Sequence, residues 1–284
     1  MAWIWYAFTI PEAAMTRFSR AFRWIVPAAF GVLAATVVRA GVVAPYSNDF
    51  TSASSTNGYL LSGSWLVDTG SVTVGSATFN GVFSHTTAQA QAFVASFAVT
   101  NLGGSPLGAL DFSISGNLAV TNGNGTASYL GLAALSSSAN LSTNLYYIQH
   151  YFATTGGAGP EFRLMRVFAG VTSTLASAGS GNREVRDLFN KNFNYFLGGS
   201  YSNGSLVLTA TYSNLTDGVL LGSLSAVDSS PLTGNYFGIK DNNANSGVPM
   251  TVYWNSLTVI PEPSSLGMLL LGAAPVYLLA RRRS

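Results

Sequence analysis

Residues 92–100 read AFVASFAVT, and the fold turns on how that stretch is parsed. Phe93, Ala95, Phe97 and Val99 alternate with Val94, Ser96, Ala98 and Thr100. A period of two places successive side chains on opposite faces, so the stretch predicts a strand with one buried side. Two more segments follow suit. Phe162, Leu164, Arg166 and Phe168 oppose Arg163, Met165 and Val167. Between Thr251 and Ile260, Tyr253, Leu257 and Val259 share one side, with Trp254 on the other.

Turn-forming clusters separate these runs: NLGGSPLG, TNGNGT, TTGGAGP, SNGS and DNNANSGVP. Asn203-Gly204 is a hairpin signal, because a type I′ turn needs positive φ at both central residues. About a dozen such strands predict an all-β, two-sheet antiparallel sandwich over residues 41–260. A Gly/Ser/Asn-rich solenoid is the alternative fold, though no fixed-period repeat is visible. Residues 182–193, NREVRDLFNKNF, concentrate charge and read as one short helix or a loop.

Charged residues make up only 8% of the chain, and no cysteine is present. The overall charge of +2 misleads, since seven of 13 basic residues lie in the terminal segments. Between Gly41 and Ile260 there are six basic and nine acidic residues, a net charge of −3. That surface offers no electrostatic footprint for nucleic acid. The missing thiols exclude cysteine catalysis and thiolate metal sites. A body of this size needs no disulfides to bury a core.

Both termini read as export and sorting segments. Arg17, Arg20 and Arg23 precede an apolar run from Trp24, and Val38-Arg39-Ala40 is a small-x-small cleavage site. Cleavage is expected between Ala40 and Gly41. The apolar stretch before Met15 reads as a start placed upstream of the true one, or as an uncleaved anchor. At the other end, Leu266 to Ala280 is apolar and uncharged; with Ser264 and Ser265 it nears the lower limit of about 17 residues for a membrane helix. Arg281, Arg282 and Arg283 follow, and the positive-inside rule keeps them cytoplasmic.

Pro261-Glu262-Pro263, the apolar span and the basic cluster together resemble the PEP-CTERM sorting signal. The resemblance implies a Gram-negative bacterium that makes exopolysaccharide, with Pro261, Glu262 and Pro263 recognised by an exosortase. It also implies passage through the Sec translocon, cleavage by signal peptidase, transient anchoring in the inner membrane and delivery to the cell surface or beyond. Three segments result: residues 1–40, 41–260 and 261–284.

YSNDF (46–50), GSWLVDTGSVTV (63–74), FRLMRVFAGVTSTLAS (162–177) and LTGNYFGIKDNNANSGVPMTVYWNSLTV (232–259) resemble concanavalin A-like lectin/glucanase sandwiches of the laminin G-like kind. The fold implied is a two-sheet jelly roll whose first and last strands adjoin. Hydrolases of that group carry Glu-x-Asp-x-Glu on one strand. Here the body has only Glu161 and Glu184, and no acidic pair at i, i+2 or i, i+4. Retaining hydrolysis needs two carboxyls about 5 Å apart. No Gly-x-Ser-x-Gly elbow marks a nucleophile, and His85 and His150 lack ligand spacing. No catalytic residue is assigned.

Binding is the expected activity, with carbohydrate or exopolysaccharide as partner. Sugars stack on aromatic rings, and Tyr146, Tyr151, Tyr253 and Trp254 are the candidate platforms. Aromatics filling a two-sheet core are the competing explanation. Calcium is the cofactor the resemblance implies, with Asp49, Asn255 and Asp241 as candidate ligands; many relatives carry aspartate where Asn255 stands. A purely structural matrix protein and a polysaccharide hydrolase or lyase are the rival functions.

Overall fold

The computed structural model describes residues 41–43, 45–87, 91–100, 111–121, 128–152, 161–178, 191–243 and 250–261. The two terminal segments, from Met1 to Ala40 and from Glu262 onward, lie outside these residues, as does most of the charged 182–193 stretch.

The described chain forms seventeen strands: β1 (Gly41–Val43), β2 (Tyr46–Asn48), β3 (Leu60–Ser62), β4 (Leu66–Val74), β5 (Ala77–Thr87), β6 (Gln91–Thr100), β7 (Phe112–Thr121), β8 (Ser128–Leu130), β9 (Leu132–Ser136), β10 (Leu145–Phe152), β11 (Glu161–Phe168), β12 (Val171–Ala178), β13 (Asn192–Ser202), β14 (Ser205–Asn214), β15 (Val219–Asp228), β16 (Tyr236–Asn243) and β17 (Met250–Pro261). They make two sheets. The nine-stranded sheet runs β1-β6-β16-β8-β10-β11-β12, with β3 beside β6 and β9 joining β10 to β16. The eight-stranded sheet runs β15-β14-β13-β7-β17-β5-β4, with β2 on β17. Pairing is antiparallel except between β1 and β6. The sandwich expected from alternation is present; β2, which carries the YSN of the quoted YSNDF stretch, pairs with the last strand β17, while β1 before it pairs with β6.

Alternate residues of the two sheets meet in one core, including Ala95, Phe97 and Val99 of β6, Leu118 of β7, Tyr146 and Ile148 of β10, and Trp254 of β17. This is the apolar side predicted for β6. The expected hairpin also forms: Asn203 and Gly204 have φ of 51° and 79°, and Ser202 pairs with Ser205 across them. One parity differs. The β7–β17 register shifts between Trp254 and Ser256, a bulge at Asn255. One extra residue reverses the phase, so Leu257 and Val259 join Val252 and Trp254 inside, while Tyr253 faces out.

Register also orients the molecule. Thr87 pairs with Met250, Thr121 with Thr251, Gln91 with Asn243, Ser128 with Phe152 and Tyr151 with Glu161. These strand ends therefore gather at one end of the sandwich. Gly41, opposite Ala98, and Pro261, opposite Phe112, lie at the other.

Candidate functional site

Regular antiparallel pairing turns every second residue of the nine-stranded sheet away from the core. Most outward positions of a sandwich meet water. Here Val94, Ala133, Leu145, Tyr147, Met165 and Val167 form a second buried cluster with Leu141. Leu141 belongs to residues 137–144, the segment between β9 and β10, which lies over this face. Ser96 donates its hydroxyl to the Ala139 carbonyl, and the Lys240 ammonium donates to the Leu141 carbonyl at 2.6 Å. Near-continuous burial along β6, from Phe93 to Phe97, follows from cover on both sides.

Next to this cluster, toward the gathered strand ends, the same face becomes polar. Asn242 of β16 is in register with Tyr129 of β8, Tyr129 with Tyr151 of β10, and Tyr151 with Glu161 of β11. The adjoining row holds Lys240 of β16, Gly131, Gln149 of β10 and Arg163 of β11. Lys240 donates its backbone N–H to the Gly131 carbonyl at 2.9 Å, and Gln149 pairs with Arg163. Gly131 is required by close packing, since a Cβ there would sit 1.9 Å from the Ile148 carbonyl oxygen. Lys240 and Gln149 therefore flank a position without a side chain.

The groups on this face are unevenly satisfied. Arg163 pairs with Glu161. Lys240 lies 5.0 Å from the Tyr147 ring centroid, a cation–π contact, and burial pushes its pKa down to about 8. Gln149 is 5% exposed, and its Oε1 accepts no hydrogen bond. A buried acceptor left unmet costs about 1–3 kcal/mol.

Behind the patch, Asp241 points inward between Lys240 and Asn242 and fastens β16 in place. Its Oδ2 accepts from His85 Nε2 at 2.9 Å and from Trp254 Nε1 at 3.0 Å, and its Oδ1 accepts from the Gly131 N–H at 3.1 Å. His85 and Trp254 belong to the eight-stranded sheet, so one carboxylate joins the two layers. Phe93 stacks on the His85 ring at 4.1 Å and Trp65 meets its edge. His150, the other histidine, bonds Tyr195 Oη at 2.6 Å through Nδ1, and burial holds its pKa down at about 3.

The four aromatic platforms chosen from sequence do not gather. Tyr146 is fully buried and donates to Asp228 at 2.6 Å while accepting from the Leu232 N–H. Trp254 is likewise buried, and both are core residues rather than surface platforms. Tyr253 packs outside the eight-stranded sheet with Val74, Phe79 and Val82. The Tyr151 backbone lies in the polar rows, but its side chain is outside the described residues.

The three candidate calcium ligands are also apart in function. Asp49 is exposed and accepts from Thr51; Asn255 donates to the Gly81 carbonyl at 3.3 Å. Asp241 already spends both oxygens on three donors. A calcium ion needs six to eight oxygens, so this donor set does not fit one. Among the described residues no group of three or more His, Asp or Glu could hold a metal. The useful signal missed in the sequence is the alternation in LYYIQHYF, which sets Tyr147 and Gln149 on the face opposite Tyr146 and His150.

No family model matches the chain, and no curated protein does. Solved structures do. The VIP36 exoplasmic/lumenal domain in its Ca2+-bound form aligns with a TM-score of 0.53 at 14% identity, covering 78% of this chain and 92% of that one. The legume lectin-like domain from Entamoeba histolytica gives 0.51 at 12% identity, over 78% of this chain and 100% of that one. The Ca2+/Man2-bound form of the VIP36 domain gives 0.50 at 14% identity, over 77% and 88%. At these identities the likeness is one of fold, and the described chain has the legume-lectin-like form of the concanavalin A-like sandwich.

Proposed function

We propose that this protein is an exported, non-catalytic glycan-binding module, and that the polar rows on the nine-stranded sheet form its binding face. The observation that carries the reading is the side-chain chemistry of that face: Tyr129 and Asn242, half-buried, beside an unmet Gln149 acceptor and the Lys240 and Arg163 cations. Rings offer stacking surface to sugar C–H faces, while amides and cations meet hydroxyls. The fold gives support, since one similar structure is a Ca2+/Man2-bound form. Among the described residues Glu161 is the one carboxylate in these rows, and it is held by Arg163, which suits binding rather than acid–base chemistry. Binding through rings and amides does not draw on Asp49, Asn255 or Asp241. Any calcium requirement therefore has its ligands elsewhere.

The sorting reading fits the geometry. Gly41 and Pro261 lie at the end of the sandwich remote from the polar rows. A chain tethered through the segment after Pro261 then presents its binding face away from the bilayer. Cleavage between Ala40 and Gly41, exosortase recognition of Pro261, Glu262 and Pro263, and cytoplasmic Arg281 to Arg283 complete the proposal.

A glycan array probed with the full chain, with and without a chelator, tests the binding reading. Saturable binding lost in a Tyr129→Ala variant is expected; no binding to any glycan overturns it. Mass spectrometry of the native protein's two ends tests export and sorting. An unprocessed cytosolic chain ends that part of the proposal.

A further inference from the structure

Among the described cations, three have a carboxylate partner. Arg163 pairs with Glu161, Arg166 Nε lies 2.8 Å from Asp228, and Lys191 Nζ lies 3.0 Å from Asp217. Lys240 has none among the described residues: its contacts there are the Leu141 carbonyl and the Tyr147 ring. Removing an ammonium from water without an anion nearby is unfavourable, and proteins ordinarily pair or expose such a group. The described body is acidic overall, yet its polar rows carry Lys240 and Arg163 against Glu161 alone.

A second observation points to the same place. Gln149, across the side-chain-free Gly131 position from Lys240, holds a buried Oε1 with no donor. A cation lacking an anion and an acceptor lacking a donor thus stand on either side of the Gly131 position. A single ligand carrying an anionic group and a neighbouring hydroxyl satisfies both.

Resting on the glycan-binding reading above, we infer that the face selects anionic sugar residues, with the acid group on the Lys240 ammonium and a ring hydroxyl donated to Gln149 Oε1. Tyr129 supplies a ring alongside, and Arg163, opposite Gln149 in register, adds a second positive group. Among the described residues, the groups around Lys240 offer the anion no competitor. Val94 pairs with it from β6, Gly131 from the β8–β9 junction, Leu141 from the covering segment and Tyr147 from β10, and none is a carboxylate. The lowered pKa of Lys240, about 8, leaves it charged at neutral pH and marks how little water compensates it.

The test is affinity measurement on the full chain with polygalacturonate, dextran sulfate and mannan, in the wild type and in Lys240→Gln and Lys240→Arg variants. Polygalacturonate or dextran sulfate is expected to bind more tightly than mannan, with affinity falling as salt rises. Their comparison separates a carboxylate from a sulfate ligand. Lys240→Gln, which keeps a donor for the Leu141 carbonyl, is expected to weaken the anionic ligand about tenfold or more, as loss of a charged hydrogen bond does. Lys240→Arg is expected to retain most of the affinity, and mannan binding to be unmoved by either change. Equal affinity for neutral and anionic glycans, or full anionic affinity in Lys240→Gln, overturns the inference and leaves glycan binding standing. Failure to bind any of the three, together with a blank glycan array, removes both.

Discussion

On the outward side of the eight-stranded sheet, Thr86 meets Thr251 hydroxyl to hydroxyl at 2.8 Å, and Ser47 meets Thr258 at 3.1 Å. On the outward side of the nine-stranded sheet, among the described residues, Lys240 lacks an anion and Gln149 Oε1 lacks a donor. Both faces arise from the same period-two alternation. Strands β7, β13, β14 and β17 contain no charged residue at all, whereas β11 and β16 carry Glu161, Arg163 and Lys240 outward. Hydroxyls can donate and accept, so neighbouring Ser and Thr satisfy one another across a ladder. An ammonium can only donate, so neighbouring hydroxyl ladders of this kind do not meet its charge. Polarity alone therefore does not distinguish the two faces; unmet polarity does.

The interior that both faces share offers the strongest way to break this contrast. Asp241→Leu leaves the donors of His85, Trp254 and Gly131 unpaired in the core. We expect a loss of about 3–5 kcal/mol in urea unfolding, the range for breaking a buried charged pair. Hydrogen exchange should quicken first along β16, behind the polar rows, while the Thr86–Thr251 ladder holds. Equal loosening of both sheets would show that Asp241 does not position the proposed binding face in particular.

Acid should act on the same interior through His150. Burial holds its pKa near 3 against an ordinary 6.5, so between those values the unfolded chain takes up a proton that the fold refuses. Stability accordingly falls as pH drops from 6.5 toward 3, by about 1.4 kcal/mol per pH unit for one proton. Subtracting the profile of His150→Gln isolates this contribution. A flat difference would show that the ring is already protonated in the fold.

Lys240 titrates in the opposite range. Its folded pKa, about 8, lies below the ordinary 10.5, so the fold binds fewer protons than the unfolded chain between these values. Stability relative to Lys240→Met therefore rises with pH across that window, by about 1–3 kcal/mol once partial exposure is allowed for. Polyanion affinity should move the other way, falling as pH passes 8. The smallest effect belongs to the eight-stranded face. Thr251→Val is expected to change stability by about 0.5 kcal/mol or less and to leave glycan affinity unchanged. A large affinity loss there would relocate the binding face.

Much of this architecture was legible in residue order. Alternation in AFVASFAVT, the Asn203-Gly204 turn and the scarcity of charge all pointed to a β-sandwich, because strand periodicity and turn sterics are local properties. Even the choice of platforms could have been narrowed. Tyr253 and Trp254 are adjacent in a strand and so cannot share a face, and Tyr146 and Tyr151 differ by an odd number of residues.

Other features depended on contacts distant in sequence. Whether Tyr146 or Tyr147 faced the core depended on which side the second sheet packed. The bulge at Asn255 reversed the parity of Leu257 and Val259 through register with β7. Asp241, set within a run of polar residues that reads as a turn, proved to join the two sheets through His85 and Trp254. Periodicity along one chain records which residues alternate, but not what they alternate against. Only the meeting of β5, β16 and β17 determined that Asp241 would be fully met while Lys240, one residue earlier, would not.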